Sequence, residues 1–428
     1  MHKIKAALRP RRSHARTAAI AAGALSAGMA AQAANYGTDL NLTMMPASGG
    51  MAGVGIAAPL EPAAALYGNP GSLVQFGDAT RFSFGATYYD PSVHVSHDGS
   101  VTGAAWSGDS RVRPYLVPTV AVTMPLGPND TIAAGLGVVS GVGSDFRGVG
   151  GPHPAGCPAG GGVFCTSASL DPNSELLVFG ANVGYAHRFG SGLSVGAAVT
   201  LAQGYAQLPL NSDTSSVHAF GARATVGATY DLGATTLGGY YRSPLQIKYR
   251  NLTNDGPGRF NDFKIEQPQE VALGLAHRGL MGGALLLAAD VVWKDWSSAS
   301  FYRDFYRSQT VVALGAQLTT GAAQWRVGYS QVNNPMKKNP GNSIGGVGSF
   351  GLNGVSIPIS PAVIQYFQAV DAEVIWRRQV TAGAGYQLAR NLRVDGHLGL
   401  ALRETDQIGG SAVRAKAWQA GLGATWNF

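Results

Sequence analysis

The chain has 428 residues, of which 45% are apolar and only 13% charged, with 60 Gly and two Cys. Soluble domains carry about 25% charged residues and about 7% Gly, so charge is halved here and glycine doubled. The glycines follow no three-residue period and the aromatics are plentiful, which excludes collagen and argues against disorder; two cysteines exclude a disulfide-dense scaffold.

Taken in chain order, residues 1–33 read as a secretory signal peptide. Lys3, Lys5, Arg9, Arg11, Arg12 and Arg16 precede an Ala-rich stretch that closes with Ala31-Gln32-Ala33, a basic region, a short apolar region and an A-x-A cleavage site. A mitochondrial transit peptide is the competing reading of the same Arg-rich, acid-free start. Removing these six basic residues from the 31 Lys and Arg leaves 25 against 24 Asp and Glu. The formal charge of +7 is therefore mostly a property of the leader, and no basic stripe remains for nucleic acid. After residue 33 no apolar run reaches 18 residues, which disfavours a helical membrane protein.

Residues 34–79 do not alternate as strands do. Glu61 to Tyr67 is expected to form a short helix with Pro62 in its first turn, ended by Gly68-Asn69-Pro70-Gly71. Some 45 residues make too small a core to stand alone, and their small and apolar character fits an insert packed inside a barrel; a periplasmic tail is the alternative.

From residue 80 onward, apolar and small or polar residues alternate in segments separated by Gly, Asn, Asp and Pro, the pattern of a transmembrane β-barrel. The expected strands are 80–90, 112–125, 130–141, 174–189, 192–206, 216–231, 234–249, 261–278, 281–296, 308–319, 322–333, 364–387, 390–404 and 411–428, about fourteen. The last is the clearest. Trp418, Ala420, Leu422, Ala424, Trp426 and Phe428 share a face with an aromatic at each end, as a lipid-facing strand requires. On 390–404, Arg393, Asp395 and His397 share the face opposite Leu398 and Leu400, and charges there belong in the lumen.

Short connections at Gly127–Asp130, Phe189–Gly192 and Asp231–Gly233 are expected on the periplasmic side, and long ones near 142–173, 250–260 and 334–363 outside. Cys157 and Cys165 fall in the first long outer loop, where an exported protein permits a local disulfide; with no adjacent Asp or second His they make no metal set.

Gly49-Gly50-Met51-Ala52-Gly53-Val54-Gly55 and Ala63-Ala64-Ala65-Leu66-Tyr67-Gly68-Asn69-Pro70-Gly71-Ser72-Leu73 resemble the N-terminal hatch of the outer-membrane long-chain fatty acid transporter family, the FadL/TodX type. Gly239-Tyr240-Tyr241-Arg242-Ser243-Pro244, Trp293-Lys294-Asp295-Trp296-Ser297, Trp325-Arg326-Val327-Gly328-Tyr329, Gly383-Ala384-Gly385-Tyr386 and the terminal Phe428 extend the resemblance in order along the chain. Gly71-Ser72 stands where that family commonly has Ala-Gly, and Pro361 to Tyr366 departs from it, which leaves the substrate open.

The resemblance implies an all-β, fourteen-stranded antiparallel transmembrane barrel (80–428) closed by a hatch (34–79). It implies capture of a hydrophobic small molecule, a long-chain fatty acid or related hydrocarbon, at the outer surface, and exit through a lateral opening at a kinked early strand. Carried onto this sequence, Gly135, Gly137 and Gly141 are kink candidates, with close barrel packing as the equal alternative. Asn35, Asn69, Pro70 and Gly71 are candidates for hatch control. Arg147, Arg242, Lys264, Arg326, Lys337 and Lys338 are candidate contacts for an acidic headgroup, or members of wall networks. The expected surroundings are those of a Gram-negative outer membrane: lipid, lipopolysaccharide and the barrel assembly machinery, with a monomer as default and no cofactor.

No serine or histidine joins an acid–base constellation, so catalysis is not expected. A non-specific porin or a surface-adhesion barrel is the competing function.

Overall fold

The computed structural model describes residues 42–147, 149, 172–208, 216–254, 258–352 and 355–428. The expected signal peptide, Asn35, Cys157 and Cys165 lie outside them. Fourteen strands form the wall: β1 (Arg81–His97), β2 (Tyr115–Pro125), β3 (Asp130–Asp145), β4 (Asn173–Arg188), β5 (Leu193–Gln207), β6 (Val217–Leu232), β7 (Thr235–Arg242), β8 (Glu270–Leu280), β9 (Leu285–Lys294), β10 (Gln309–Thr320), β11 (Ala323–Val332), β12 (Arg378–Ala389), β13 (Leu392–Ile408) and β14 (Ser411–Asn427). Each pairs antiparallel with its neighbour in sequence, and β14 returns to β1 from Arg81↔Asn427 to His97↔Ser411. Closure satisfies backbone groups that an open edge would leave unpaired in lipid.

Side-chain alternation sets which face is which. On β14, Trp418, Leu422 and Trp426 are exposed while Gln419, Gly421, Gly423 and Thr425 are buried, so the aromatic-ended face points out as the sequence predicts. On β13, Asp395 and His397 point inward and Leu398 and Leu400 outward. Exposed Val199, Leu201, Leu273, Leu314, Val327 and Leu398 continue the outer apolar surface around the wall.

Three expected strands need correction. The expected strand 234–249 stops at Arg242, and Leu245–Asn254 pairs instead with Phe260–Gln267 in a separate hairpin. Pro244 and Pro268 stand at the two breaks, and neither brings an N–H to a ladder. The expected strand 261–278 accordingly begins only at Glu270. The expected strand 364–387 begins at Arg378, because Pro361–Val370 is a helix. Its Ser360 side chain accepts from the Val363 N–H, and Val363, Ile364 and all of Tyr366 to Val370 are buried. A largely apolar, largely buried run does not declare its period, and the Ser360 cap with Pro361 at the first helical position starts a helix here.

The helix expected at 61–67 is present as α1 (Pro62–Tyr67), with Glu61 at its N-cap. The one-turn helix at 302–305 is α2 (Tyr302–Phe305) and that at 361–370 is α3 (Pro361–Val370). Short turns join β2–β3, β4–β5, β6–β7, β8–β9, β10–β11 and β12–β13 at one end. The long connections gather at the other, where the 245–267 hairpin, α2, the Ser349–Leu352 and Val355–Pro358 hairpin and α3 share an apolar cluster.

Candidate functional site

Residues 42–77 are held against the inner face of the wall by inward polar side chains. Thr87 of β1 donates to the Met44 carbonyl at 2.8 Å, and Gln419 of β14 to the Thr43 carbonyl at 2.7 Å. Arg393 of β13 donates to the Leu60 carbonyl at 2.6 Å and Arg188 of β4 to the Val74 carbonyl at 3.0 Å. Asp290 Oδ2 on β9 accepts from the Gly55 and Ile56 N–H groups at 2.8 and 3.1 Å. Within the segment, Glu61 Oε1 accepts from the Ala47 and Ser48 N–H groups at 3.1 and 2.9 Å. Irregular backbone is thereby satisfied where water is scarce.

The Asn69-Pro70-Gly71 turn explains itself through these contacts. Asn69 Nδ2 donates to the Ile56 carbonyl of the segment and to the Ala228 carbonyl of β6, both at 2.9 Å, while Asn69 Oδ1 accepts from the Gly71 N–H at 3.0 Å. A Cβ on Gly71 would lie 2.6 Å from the Ala228 Cα, and one on Gly227 only 2.0 Å from Asn69 Oδ1. Much of the glycine that sets this composition apart serves such close approach: Gly50 and Gly383 meet the same way, a Cβ on Gly383 falling 2.8 Å from the Gly50 Cα.

The wall is interrupted beside this segment. β2 and β3 pair only from Pro125↔Thr131 to Thr119↔Gly137. Pro118, the next β2 residue, has no N–H to donate. β3 continues paired with β4 to Asp145, where the Asp145 N–H donates to Ser110 Oγ and its carbonyl accepts from the Arg111 N–H; a register shift between Val138 and Ser140 leaves Val139 extra, and residues 138–144 are all buried. Of the kink candidates, Gly135 and Gly137 take the close-packing role: a Cβ there would lie 3.0 Å from Leu66 and 3.1 Å from the Tyr67 hydroxyl. The bulge itself falls between Gly137 and Gly141.

Behind the bulge lies a cavity of about 740 Å³ including its mouth, walled by Leu42, Ile56 and Tyr67 of the segment, Val138 and Val139 of β3, and Arg223, Arg242, Glu270, Asp290 and Lys294 of the barrel. Glu270 is fully buried between two cations: Arg242 pairs with it at 2.8 Å and Lys294 donates to its other oxygen. Tyr240 also donates to it at 2.8 Å, and Arg242 donates to the carbonyls of Tyr67 and Gly68. One ionic cluster thus joins β7, β8 and β9 to the end of α1.

A second cavity of about 810 Å³ including its mouth lies among the long connections, lined mainly by Phe263, Phe301, Tyr302, Phe305, Tyr306, Met336, Ile344, Phe350 and Phe367. Asp371 at its inner end accepts from Ser144 and Ser174, which ties the α3–β12 connection to the inturned part of β3; Glu373 accepts from the Gly143 N–H at 3.4 Å. Burial pushes the Asp371 carboxyl up to about 6 and that of Glu373 up to about 8.

Of the candidate headgroup cations, only Arg242 lines either cavity, and it is already paired. Arg326 pairs with Asp395 at 2.7 Å and donates to Gln317 and Gln324, a wall network under Gly50. Arg147 pairs with Asp145, Lys264 lies near Glu266, Lys337 donates to the Arg303 carbonyl, and Lys338 is exposed. Sequence reasoning missed Glu270, Asp290, Lys294, Gln368 and Asp371. The first three carried a signal, since each is a charge on the inward phase of an otherwise apolar strand. It also passed over Gly341-Asn342-Ser343-Ile344-Gly345, which meets the G-x-S-x-G pattern; the stretch lies in an outer connection, not at a strand-to-helix elbow.

Several solved structures share the fold. The Pseudomonas putida toluene transporter TodX superposes with a TM-score of 0.61 at 20% identity, over 91% of this chain and 99% of its own. The Ralstonia pickettii toluene transporter TbuX gives 0.62 at 19%, over 91% and 99%, and a Pseudomonas aeruginosa FadL homologue 0.62 at 15%, over 92% and 100%. At such identities the likeness is one of fold. No curated protein sequence matches the chain. The profile of the Gram-negative porins matches residues 166–407, from the approach to β4 through most of β13. A match over more than half of its length, on a closed fourteen-stranded barrel with an apolar outer face, places the chain in the Gram-negative porin family.

Proposed function

We propose that this protein admits hydrophobic small molecules through the outer membrane. The outer aromatic cavity captures them, the inner cavity beside residues 42–77 receives them, and the parting of β2 from β3 releases them sideways. The segment acts as a hatch that keeps polar solutes out. The observation that carries the reading is the break itself. The pairing of β2 with β3 ends at Thr119↔Gly137, and just beyond it Val138 and Val139 line the inner cavity. The toluene transport named for TodX and TbuX, which share the fold, supports an apolar cargo. The porin match favours a second reading, an aqueous pore for polar solutes, but the matched region leaves out residues 42–77 and β3.

Deleting Val139 removes the extra residue and lets β3 run in register with β4. Uptake of an apolar substrate by cells carrying this variant should fall at least tenfold, toward that of cells without the protein, with the barrel still present at normal levels in its compact, heat-modifiable form. Undiminished uptake at equal levels of folded barrel would remove the lateral exit from the account.

A further inference from the structure

We propose that the outer cavity selects apolar molecules that carry a hydrogen-bond donor, a phenol or other hydroxyl, over carboxylates and bare hydrocarbons. The inference rests on the transport reading above and names its substrate class. Among the described residues no Lys or Arg lines this cavity, whose polar groups are Ser174, Glu175, Gln207, Gln368, Asp371 and the hydroxyls of Tyr302 and Tyr306 among a majority of apolar side chains.

Gln368 decides the polarity of the site. It is 1% exposed, and its Nε2 donates to the carbonyls of Phe305 at 2.6 Å and Lys337 at 3.1 Å, so both amide hydrogens are committed. That fixes the orientation of the amide and leaves Oε1 buried without a donor. Just past the end of α3, Asp371 takes the hydroxyls of Ser144 and Ser174 on one oxygen, Oδ1, and no described residue donates to the other. Glu175 faces the Tyr205 hydroxyl and Arg147. Gln368 Oε1 thus lacks a donor, with Oδ2 of the half-buried Asp371 offering a second acceptor, and a buried acceptor without a donor is costly until a ligand supplies one. A hydroxyl supplies it while its ring lies among Phe263, Phe301 and Phe367. A carboxylate brings only acceptors and a like charge beside Asp371, and a hydrocarbon leaves Gln368 unsatisfied. The inner cavity differs in holding cations, Arg223, Arg242 and Lys294, beside its carboxylates Glu270 and Asp290.

The test is calorimetric titration of the full protein in lipid nanodiscs with para-cresol, para-xylene and para-toluate, in mildly alkaline buffer. Cresol should bind tightest, by about tenfold over xylene, the worth of one buried hydrogen bond, and toluate weakest. In Gln368→Leu the cresol advantage over xylene should vanish. Because that change also frees two carbonyls, Asp371→Asn provides an independent check: it turns an amide donor toward the cavity, and toluate should gain on cresol. Xylene binding as tightly as cresol, toluate binding tightest, or variants that leave the order unchanged would overturn the selectivity while leaving apolar capture in place. Failure of all three ligands to bind would overturn the transport reading and the selectivity with it.

Discussion

Replacing Glu270 by Ala should destabilise the barrel by about 3–5 kcal/mol, the cost of leaving buried charge without its partner. The carboxylate is fully buried, bound by Arg242 on one oxygen and Lys294 on the other, and Tyr240 donates to it as well. Alanine removes the acceptor for all three and leaves two cations facing each other at the inner cavity. Arg242 also holds the carbonyls of Tyr67 and Gly68, so disturbance of the cluster reaches the end of α1. The temperature at which the compact band is lost on semi-native gels should drop, and the urea midpoint with it. Glu270→Gln, which keeps shape and some hydrogen bonding, should lose less. Replacing Glu270, Arg242 and Lys294 together by apolar residues of similar size should recover much of the loss, because the desolvation cost of all three charges goes with them. An alanine variant as stable as the native chain would show that the cluster is hydrated and contributes little.

The second large effect is expected at Gly71. Its place against β6 has no room for a side chain, since even a Cβ would sit 2.6 Å from both the Ala228 Cα and the Gly227 carbonyl oxygen. Both are backbone atoms, so relief requires the turn or the strand to move. Gly71→Leu should therefore lift the Asn69–Gly71 turn off the wall and break the bond from Asn69 Nδ2 to the Ala228 carbonyl. Overpacking of this kind costs about 1–3 kcal/mol. A local anchor bears that cost more readily than fourteen paired strands do. The expected result is an assembled barrel with a leaking lumen: ion conductance in planar bilayers rising well above native, and cells more sensitive to large hydrophilic antibiotics. Unchanged conductance from a folded Gly71→Leu barrel would argue that residues 42–77 do not close the lumen.

The wall was legible in the sequence because a strand that faces lipid on one side and a polar interior on the other must alternate. Trp418 to Phe428 carries that alternation without interruption, and all fourteen strands were expected near where they lie. The misplaced limits fall where alternation is silent. Pro244 and Pro268 mark an outer hairpin whose own strands alternate as wall strands do, and Pro361–Val370 is mostly apolar and mostly buried, so its sequence pattern does not tell a helix from a strand. The Asn69-Pro70-Gly71 turn could be singled out from its residue types, but its receiving glycine, Gly227, could not, since the two are joined only by the fold. The inner cluster was half visible: Arg242 was picked out as a cation, while Glu270, which decides its role, was not. Gln368 had no signal at all, because an amide in an apolar run acquires meaning only from the carbonyls that fix its orientation.

The most direct measurement of the central claim is whole-cell uptake of a radiolabelled small aromatic hydrocarbon and a radiolabelled long-chain fatty acid. A strain lacking the protein is compared with one complemented to equal outer-membrane levels, and permeability to a small polar solute is followed in parallel. Selective passage of hydrophobic molecules predicts saturable uptake restored for at least one apolar substrate, with polar permeability unchanged. Unrestored uptake of both, together with increased polar permeability, would contradict it and identify an aqueous pore.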